Sequence, residues 1–286
     1  MEQRRRRRGN PYVLIVISIA WLILGFIFLP AGASAQTPLP LANWQYSSGE
    51  VLESLRGPLP DWRITLGVGA EVQPDFPGAR RYEFRPSGIL DIRYRDIAFL
   101  SDGEGIGVNL LHGKGFRAGI AVSYDLGRDT HDDPRVQHLR NISPAPEPKL
   151  FAQYFLLPFV LTADLRKGIG GHEGVIGDLG AYVPLPVADR TFLFLGPSLT
   201  LASGRYMQSY FGVSPAEAAA SGLRPFAAQG GLQNVTLGAT LVRLLGDHWL
   251  LAGEGAAERF LGDAAASPVP ETRAQFVFAL NIGYRF

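Results

Sequence analysis

The sequence contains no cysteine, which excludes a disulfide framework, a thiolate metal site and a cysteine nucleophile. Clustered positive charge is also missing beyond the first 35 residues. The 27 Lys and Arg include five in Arg4–Arg8, and the 26 acidic residues include Glu2, so 22 basic and 25 acidic residues remain. Such a remainder carries no electrostatic footprint for nucleic acid. No apolar run of 18 residues follows Gln36, so no further transmembrane helix is expected.

The N-terminal segment has the order charged, apolar, small: Arg4–Arg8, an apolar run over 12–29, and small residues over 31–35. This is the layout of a secretory signal peptide, with Ala33 and Ala35 at the cleavage site. The alternative is a retained membrane anchor, because the apolar run is nearly long enough to span a bilayer. We expect a signal peptide over 1–35, a proline-containing periplasmic lead-in over 36–61 and one domain over 62–286.

The rest of the chain alternates with a period of two, as β-strands do. In the last segment, one face collects the large apolar side chains of Phe276, Phe278, Leu280, Ile282, Tyr284 and Phe286. A soluble β-sandwich alternates in the same way. Several segments run to 11 or more residues, which fits the length of about 9 to 11 residues that crosses a bilayer, and aromatic residues gather at segment ends. The pattern therefore predicts an all-β, closed antiparallel transmembrane β-barrel.

Twelve strands are predicted, at 62–72, 82–94, 96–101, 105–111, 116–126, 149–157, 159–167, 173–185, 191–204, 231–244, 249–260 and 273–286. The even-numbered connections are all short, whereas the three longest, 127–148, 205–230 and 261–272, are odd-numbered. This segregation is typical of bacterial barrels, whose periplasmic turns are short. The pair 96–101 and 105–111 could instead be one bulged strand. In the longest connection, Ser214-Pro215-Ala216-Glu217 predicts a short helix over 215–221.

The sequence offers little for catalysis or for metal and cofactor binding. None of the five histidines has a serine two positions away, and His131-Asp132-Asp133 is interpreted as a solvated acidic loop because no regular ligand spacing follows. The Gly-x-Gly motifs are not followed by helices, so they do not predict a phosphate cradle. We therefore expect no enzymatic activity, no cofactor and no metal site.

Charged residues on the small-residue faces of the strands are predicted to line the barrel lumen. They are Arg63, Glu71, Asp91, Arg93, Arg117, Asp125, Asp164, Arg166 and Arg285. Two interpretations stay open. Charges of both signs facing a narrow lumen can pair and plug it, or they can line a modest channel for small polar solutes.

The C-terminus carries an assembly signal by resemblance. Tyr284 and the final Phe286, preceded by alternating apolar residues, resemble the terminal strand that the outer-membrane barrel assembly machinery recognises. An edge strand with open backbone groups is a template for pairing with another strand. The resemblance implies the assembly machinery and outer-membrane lipid as partners.

The chain as a whole resembles the MipA/OmpV family of outer-membrane proteins. The resemblance rests on Tyr206 and on YRDIAFLS at 94–101, GIGVNLL at 105–111, YDLGR at 124–128, SYFGVS at 209–214, ASGL at 220–223 and RFLGDAA at 259–265. It implies an outer-membrane location and a non-enzymatic scaffold for peptidoglycan-remodelling machinery, with a lytic transglycosylase or a peptidoglycan synthase as partner. The alternatives are a narrow channel for small polar solutes, and a surface adhesin that uses the loops at 127–148 and 205–230.

Overall fold

The computed structural model describes residues 61–286, except 114, 131–132 and 157. The predicted signal peptide with its cleavage site at Ala33 and Ala35, and the lead-in up to residue 60, lie outside the described residues. Within the described part of the chain, no helix has the length and apolar character of a membrane span.

Twelve antiparallel strands form one closed barrel in which each strand pairs with its neighbours in sequence and β1 pairs with β12. The strands are β1 Trp62–Pro74, β2 Tyr82–Tyr94, β3 Ala98–Ser101, β4 Gly105–Gly113, β5 Phe116–Asp125, β6 Ala145–Leu156, β7 Phe159–Lys167, β8 Val175–Ala188, β9 Thr191–Ala202, β10 Gly231–Leu245, β11 Trp249–Phe260 and β12 Ala274–Arg285. The predicted fold class and strand number are confirmed. The two short strands β3 and β4 are separate and not one bulged strand.

Many large apolar side chains of the strands point away from the barrel centre. Phe278, Leu280 and Val122 are 55%, 58% and 48% exposed, whereas Val277 and Ala279 of the same strand as Phe278 are buried. Exposed apolar side chains on the outside and buried small or polar ones inside are the arrangement of a barrel in lipid. A soluble sandwich would bury the large residues instead.

The connections segregate by length, as predicted. Connections of two or three residues join β2 to β3, β4 to β5, β6 to β7, β8 to β9 and β10 to β11 at one end, here called the turn end. The longer connections lie at the opposite loop end, and the three-residue connection 102–104 is on that side as well. Aromatic rings border the turn end, where Trp62 lies 4.8 Å from Tyr94, and Tyr284 lies 5.0 Å from both Trp249 and Phe286. Amphipathic rings at this position suit the headgroup level of a membrane.

Three short helices lie in the connections at the loop end: α1 Gly204–Phe211, α2 Pro215–Ser221 and α3 Gly262–Ala266. The predicted α2 is confirmed, with a full capping box: the Ser214 side chain accepts from the Glu217 N–H at 3.3 Å, and the Glu217 carboxylate accepts from the Ser214 N–H at 2.7 Å. The other two helices were not predicted.

Several predicted strand boundaries differ from the structure by two or more residues, and two of these differences have identifiable reasons. Strand β9 ends at Ala202 and not at 204, because Ser203 is the N-cap residue of α1. Strand β6 begins at Ala145 and not at 149. Its first four residues include Pro146 and Pro148, which are uncommon in strands, so the sequence pattern did not indicate a strand there. These prolines are tolerated since residues 145–148 pair with β5 but with no residue of β7, so their missing N–H groups remove no ladder bond on that side.

Candidate functional site in the barrel lumen

Eight of the nine predicted lumen charges lie inside the barrel wall. Six are buried, namely Arg63, Glu71, Arg93, Arg117, Asp125 and Arg166, and Asp91 and Asp164 are half-buried. Arg285 instead lies at the rim of the turn end, where its guanidinium donates to the Asp247 carbonyl at 2.8 Å. Strand alternation is sufficient to place these side chains inward, but it does not give the position along the barrel axis.

One group of charges is organised by Glu104, in the tight connection between β3 and β4. Its two carboxylate oxygens accept one bond each at 2.7 Å, from Arg93 of β2 and from Arg117 of β5. Arg93 also bonds Asp91 at 2.9 Å, and Arg117 donates to Gln153 at 3.0 Å. A carboxylate that bonds two buried guanidinium groups ties β2 and β5 to the connection between β3 and β4.

A second group is organised by Arg166 of β7. Its guanidinium lies 2.7 Å from Asp164, 2.5 Å from Asp178 and 3.3 Å from Glu147. Removing Arg166 would leave these buried carboxylates without their shared cation, and an uncompensated buried charge costs about 3 to 5 kcal/mol. These contacts match the paired network expected of a plugged lumen.

At the loop end, Asp125, Glu147 and His172 are all buried, and one ligand-type atom from each lies within 4.8 Å of the others. The His172 ring is fully engaged: its Nδ1 accepts from the Gly174 N–H at 2.9 Å, and its Nε2 lies 3.0 Å from Glu147. Because Nδ1 accepts, the proton of the neutral ring lies on Nε2 and is donated to Glu147. Neither nitrogen then offers a lone pair to a metal, so the geometry favours a hydrogen-bonded cluster. His131 and Asp132 of the acidic loop lie outside the described residues.

Helix α1 covers this cluster from the loop end. The Tyr210 hydroxyl donates to Asp125 at 2.6 Å, and the Gly127 N–H donates to the same oxygen at 2.7 Å. Burial raises the pKa of Tyr210 well above its ordinary value, so the phenol stays protonated and donates. Tyr206 packs edge-on against the His172 ring at 4.9 Å.

Arg128 holds the C-terminal end of α1. Its guanidinium donates to the Tyr210 carbonyl at 2.9 Å and to the Arg140 carbonyl at 3.1 Å. Burial lowers the pKa of Arg128 to about 10, which still leaves it charged near neutral pH. A cation at the C-terminus of a helix is favoured by the helix dipole and by its free carbonyls.

Apolar layers lie at both ends of the lumen, with the charged groups between them. At the loop end the layer includes Ile142, Ile176, Met207, Phe211 and Phe260. At the turn end it consists of the buried side chains Val160, Tyr182, Phe194, Val242, Leu244, Leu250 and Ala252. Inward side chains of the described residues therefore fill much of the lumen.

Sequence reasoning missed several residues of this network. Glu147 lies between two prolines in a segment predicted as loop, Glu104 lies in a turn, and Tyr210 lies in the unpredicted α1. Asp178 was missed as well, although it lies on the inward face of a predicted strand, where strand alternation is the signal that could have found it.

These features define a transmembrane β-barrel of the bacterial outer membrane. The chain belongs to the MipA family, whose sequence profile, described as "MltA-interacting protein MipA", matches residues 66–286. A search of curated proteins finds no match.

Solved outer-membrane barrels are similar at low identity. OmpT of Vibrio cholerae is 8% identical, with a TM-score of 0.36, over 79% of this chain and 97% of that chain. An anion-selective porin from Comamonas acidovorans is 12% identical, with a TM-score of 0.36, over 79% and 98% of the two chains. The translocator domain of the autotransporter NalP from Neisseria meningitidis is 12% identical, with a TM-score of 0.35, over 86% and 96%.

Proposed function

We propose that this barrel is a non-enzymatic outer-membrane anchor that binds a component of the peptidoglycan-remodelling machinery at its turn end. The observation that carries the proposal is the filled lumen: clusters of buried apolar side chains lie toward both ends, and buried ion pairs lie between them. A barrel filled in this way is better suited to presenting a surface than to passing solutes.

The family description gives the class of partner, because it names interaction with MltA. A partner that acts on peptidoglycan meets the periplasmic side of the barrel, which in bacterial barrels is the side with short turns. The turn end offers exposed charged pairs for such contact. Arg95 lies 3.0 Å from Asp61, and Arg190 lies 3.6 Å from Asp247.

The absence of catalysis is supported by the contacts of the one buried histidine among the described residues. His172 bonds Glu147 and the Gly174 N–H, and the nearby Ser209 hydroxyl donates to the His172 carbonyl at 3.3 Å and not to the ring. A serine nucleophile needs its hydroxyl on the ring nitrogen of a base.

Co-purification from detergent extracts tests the partner. Tagged wild-type protein is expected to retain a lytic transglycosylase or a peptidoglycan synthase, and Arg190→Glu with Asp247→Lys at the turn end is expected to reduce the yield because it changes the exposed charge pattern. Arg224→Glu, at the loop end, is the matched control and should retain the partner. Repeated extracts that contain neither enzyme would reject the anchoring role.

Planar-bilayer conductance tests the occluded state directly. The wild-type barrel is expected to show no ohmic steps. Steps whose ion selectivity changes with Arg117→Gln would instead establish the channel for small polar solutes.

A further inference from the structure

Three exposed arginines at the loop end have no ionic partner among the described residues. Arg80 lies in the connection between β1 and β2, Arg259 is the last residue but one of β11, and Arg273 directly precedes β12. By contrast, the guanidinium of Arg224, which is also exposed at this end, donates to the Ala266 carbonyl. Unpaired guanidinium groups at a membrane surface attract anionic ligands.

Backbone bonds hold the three arginines in one sector of the rim. The Glu271 carboxylate accepts from the Arg80 N–H at 2.9 Å, and the Glu271 N–H donates to the Gly78 carbonyl at 2.9 Å. Arg273, two residues further on, is bonded to the end of β11, since the Phe260 N–H donates to its carbonyl at 2.8 Å. Three separate segments of the chain therefore bring these arginines to the same side of the barrel.

The acidic residues next to the three arginines leave a surplus of positive charge. The Asp75 carboxylate bonds Arg81, and Glu83 forms an ion pair with Arg85, so each of these acids already has a cation. The carboxylate of Glu271 accepts a backbone N–H and is a single negative charge beside three unpaired arginines. Charge complementarity therefore favours a ligand with more than one negative charge.

Below the arginines, toward the turn end, the outer face of the barrel is aromatic. Phe84 of β2 and Phe278 of β12 both lie opposite Val72 of β1 in the register, and they are 75% and 55% exposed. Phe276 stacks on Phe278, with ring centroids 6.5 Å apart, and the Tyr82 hydroxyl accepts from the Phe276 N–H at 3.0 Å. The rings of Tyr82, Phe84, Phe276 and Phe278 form an aromatic surface that faces lipid.

Strand geometry gives the distance between the cationic and the aromatic parts. Arg259 lies directly opposite Ala274 in the register, and Phe276 follows two residues later on the same outer face of β12. Two residues of a strand span about 7 Å. The loop end faces the outside of the cell, because the short turns of bacterial barrels are periplasmic. An amphipathic ligand of the external leaflet, with anionic groups above and acyl chains below, has the same order.

We propose that this sector of the barrel binds a phosphorylated glycolipid of the external leaflet, an acylated disaccharide that carries two phosphate groups. The phosphates lie at the three unpaired arginines, because guanidinium groups bind phosphate oxygens in a bidentate manner. The acyl chains lie along the aromatic surface. This site is independent of any partner at the turn end.

Native mass spectrometry of the detergent-purified barrel tests the proposal. With equal amounts of bisphosphorylated lipid A and phosphatidylglycerol, folded wild-type protein is expected to retain lipid A about tenfold more, the factor equivalent to about 1.4 kcal/mol. Lipid A without its phosphates should lose this advantage, and so should the double variant Arg259→Gln with Arg273→Gln. Arg224→Gln is the matched control and should retain lipid A as the wild type does, because the Arg224 guanidinium is already bonded.

Two results in these spectra would overturn the site. One is equal retention of lipid A and phosphatidylglycerol by the folded wild-type barrel. The other is a dimer that binds no lipid A and is lost in the double variant, since the sector would then be the contact with a second copy of the chain.

Photocrosslinking gives a second measurement that leaves the arginines unchanged. In vesicles of lipid A and phosphatidylglycerol, a benzophenone side chain at Phe276 is expected to yield adducts enriched several-fold in lipid A relative to the same group at Leu165. Leu165 is 50% exposed on β7 and, like Phe276, is the third residue from the loop end of its strand. Adducts of identical lipid composition at the two positions would contradict the proposal.

Discussion

The phenol of Tyr210 donates to a buried carboxylate, Asp125, at 2.6 Å, and this single bond joins α1 to the end of β5. Tyr210→Phe leaves that carboxylate oxygen with the Gly127 N–H alone, so we expect a loss of about 1 to 3 kcal/mol in the free energy of unfolding. Denaturant unfolding in detergent measures the loss.

The control for this variant is Tyr154→Phe, because Tyr154 is 53% exposed on the outer face. Equal stability of the two variants would show that the Tyr210 hydroxyl contributes nothing to holding α1.

The carboxylate of Glu217 provides a pH dependence at the start of α2. Partial burial raises the pKa of Glu217, but bonds from Ser214 and from the Arg140 N–H outweigh it and lower the pKa below the ordinary 4.5. A depressed carboxylate pKa gives stability that is present above pH 4.5 and is lost as the pH falls through the lower, folded-state pKa. The capping box should therefore weaken in acid.

Amide resonances of Ser214 and Arg140, followed by NMR in micelles, check this expectation. Both should shift together below pH 4.5 in the wild type. Glu217→Gln should abolish the shift, and a shift that persists in this variant would assign the titration to another group.

At the scale of elements, the start of β4 depends on Gly105. Its φ is +87°, and a Cβ placed there would lie 2.0 Å from the Val122 carbonyl oxygen. Gly246, in a turn, has a φ of +72° but no atom within 4 Å of a built Cβ. We expect Gly246→Ala to cost about 1 kcal/mol from backbone conformation and Gly105→Ala about 2 to 4 kcal/mol, since steric overlap adds to it.

Unfolding midpoints of the two variants measure this difference. Because both positions have a positive φ, the comparison isolates the contact with Val122. Equal costs would mean that β4 can shift to accommodate a side chain at 105.

The elements that could be predicted from sequence are those encoded locally. The alternation of Phe276 to Phe286 defines one face of β12 without reference to the rest of the chain, and Ser214 with Glu217 encodes the start of α2 in four residues. Helix α1 lacks an acidic first turn, a basic last turn and a side-chain cap bond. It is stabilised by distant partners such as Asp125 and Arg128, which no local pattern reveals.

For the candidate site, the sequence likewise predicted the locally encoded part, which is the direction of the side chains, but not their partners. The inward direction of Arg93, Arg117 and Arg166 follows from strand parity, but their shared partners Glu104 and Glu147 lie in a turn and in a proline-interrupted strand. The pairing of these charges could therefore not be predicted. The alternation along a strand tells on which side of the sheet a side chain lies. Which side chain it contacts depends on the register between neighbouring strands.

At the scale of the whole molecule, the lipid-facing outer surface of the barrel predicts that a charged substitution there lowers stability, whereas an apolar one is tolerated. Leu280 is 58% exposed on β12, and the adjacent Ala279 points inward. Leu280→Arg is expected to destabilise the barrel in lipid by about 2 to 4 kcal/mol, the cost of a cation near the bilayer midplane.

Reversible unfolding in phospholipid vesicles measures this cost. Leu280→Met is the matched control and should change stability by less than about 1.5 kcal/mol. A tolerated arginine at position 280 would contradict a lipid-facing outer surface.

The seam between β1 and β12 has a consequence for the chain's connectivity. The Phe286 N–H donates to the Ile64 carbonyl at 3.0 Å, so a short linker can join residue 286 to residue 61 while new ends are opened at the Gly222 turn after α2. In such a circular permutant the ring of strands is intact, but Tyr284 and Phe286 are internal. If the permutant refolds in detergent but does not insert in cells, the closed ring of strands is sufficient for folding, and insertion depends on a phenylalanine at the chain end.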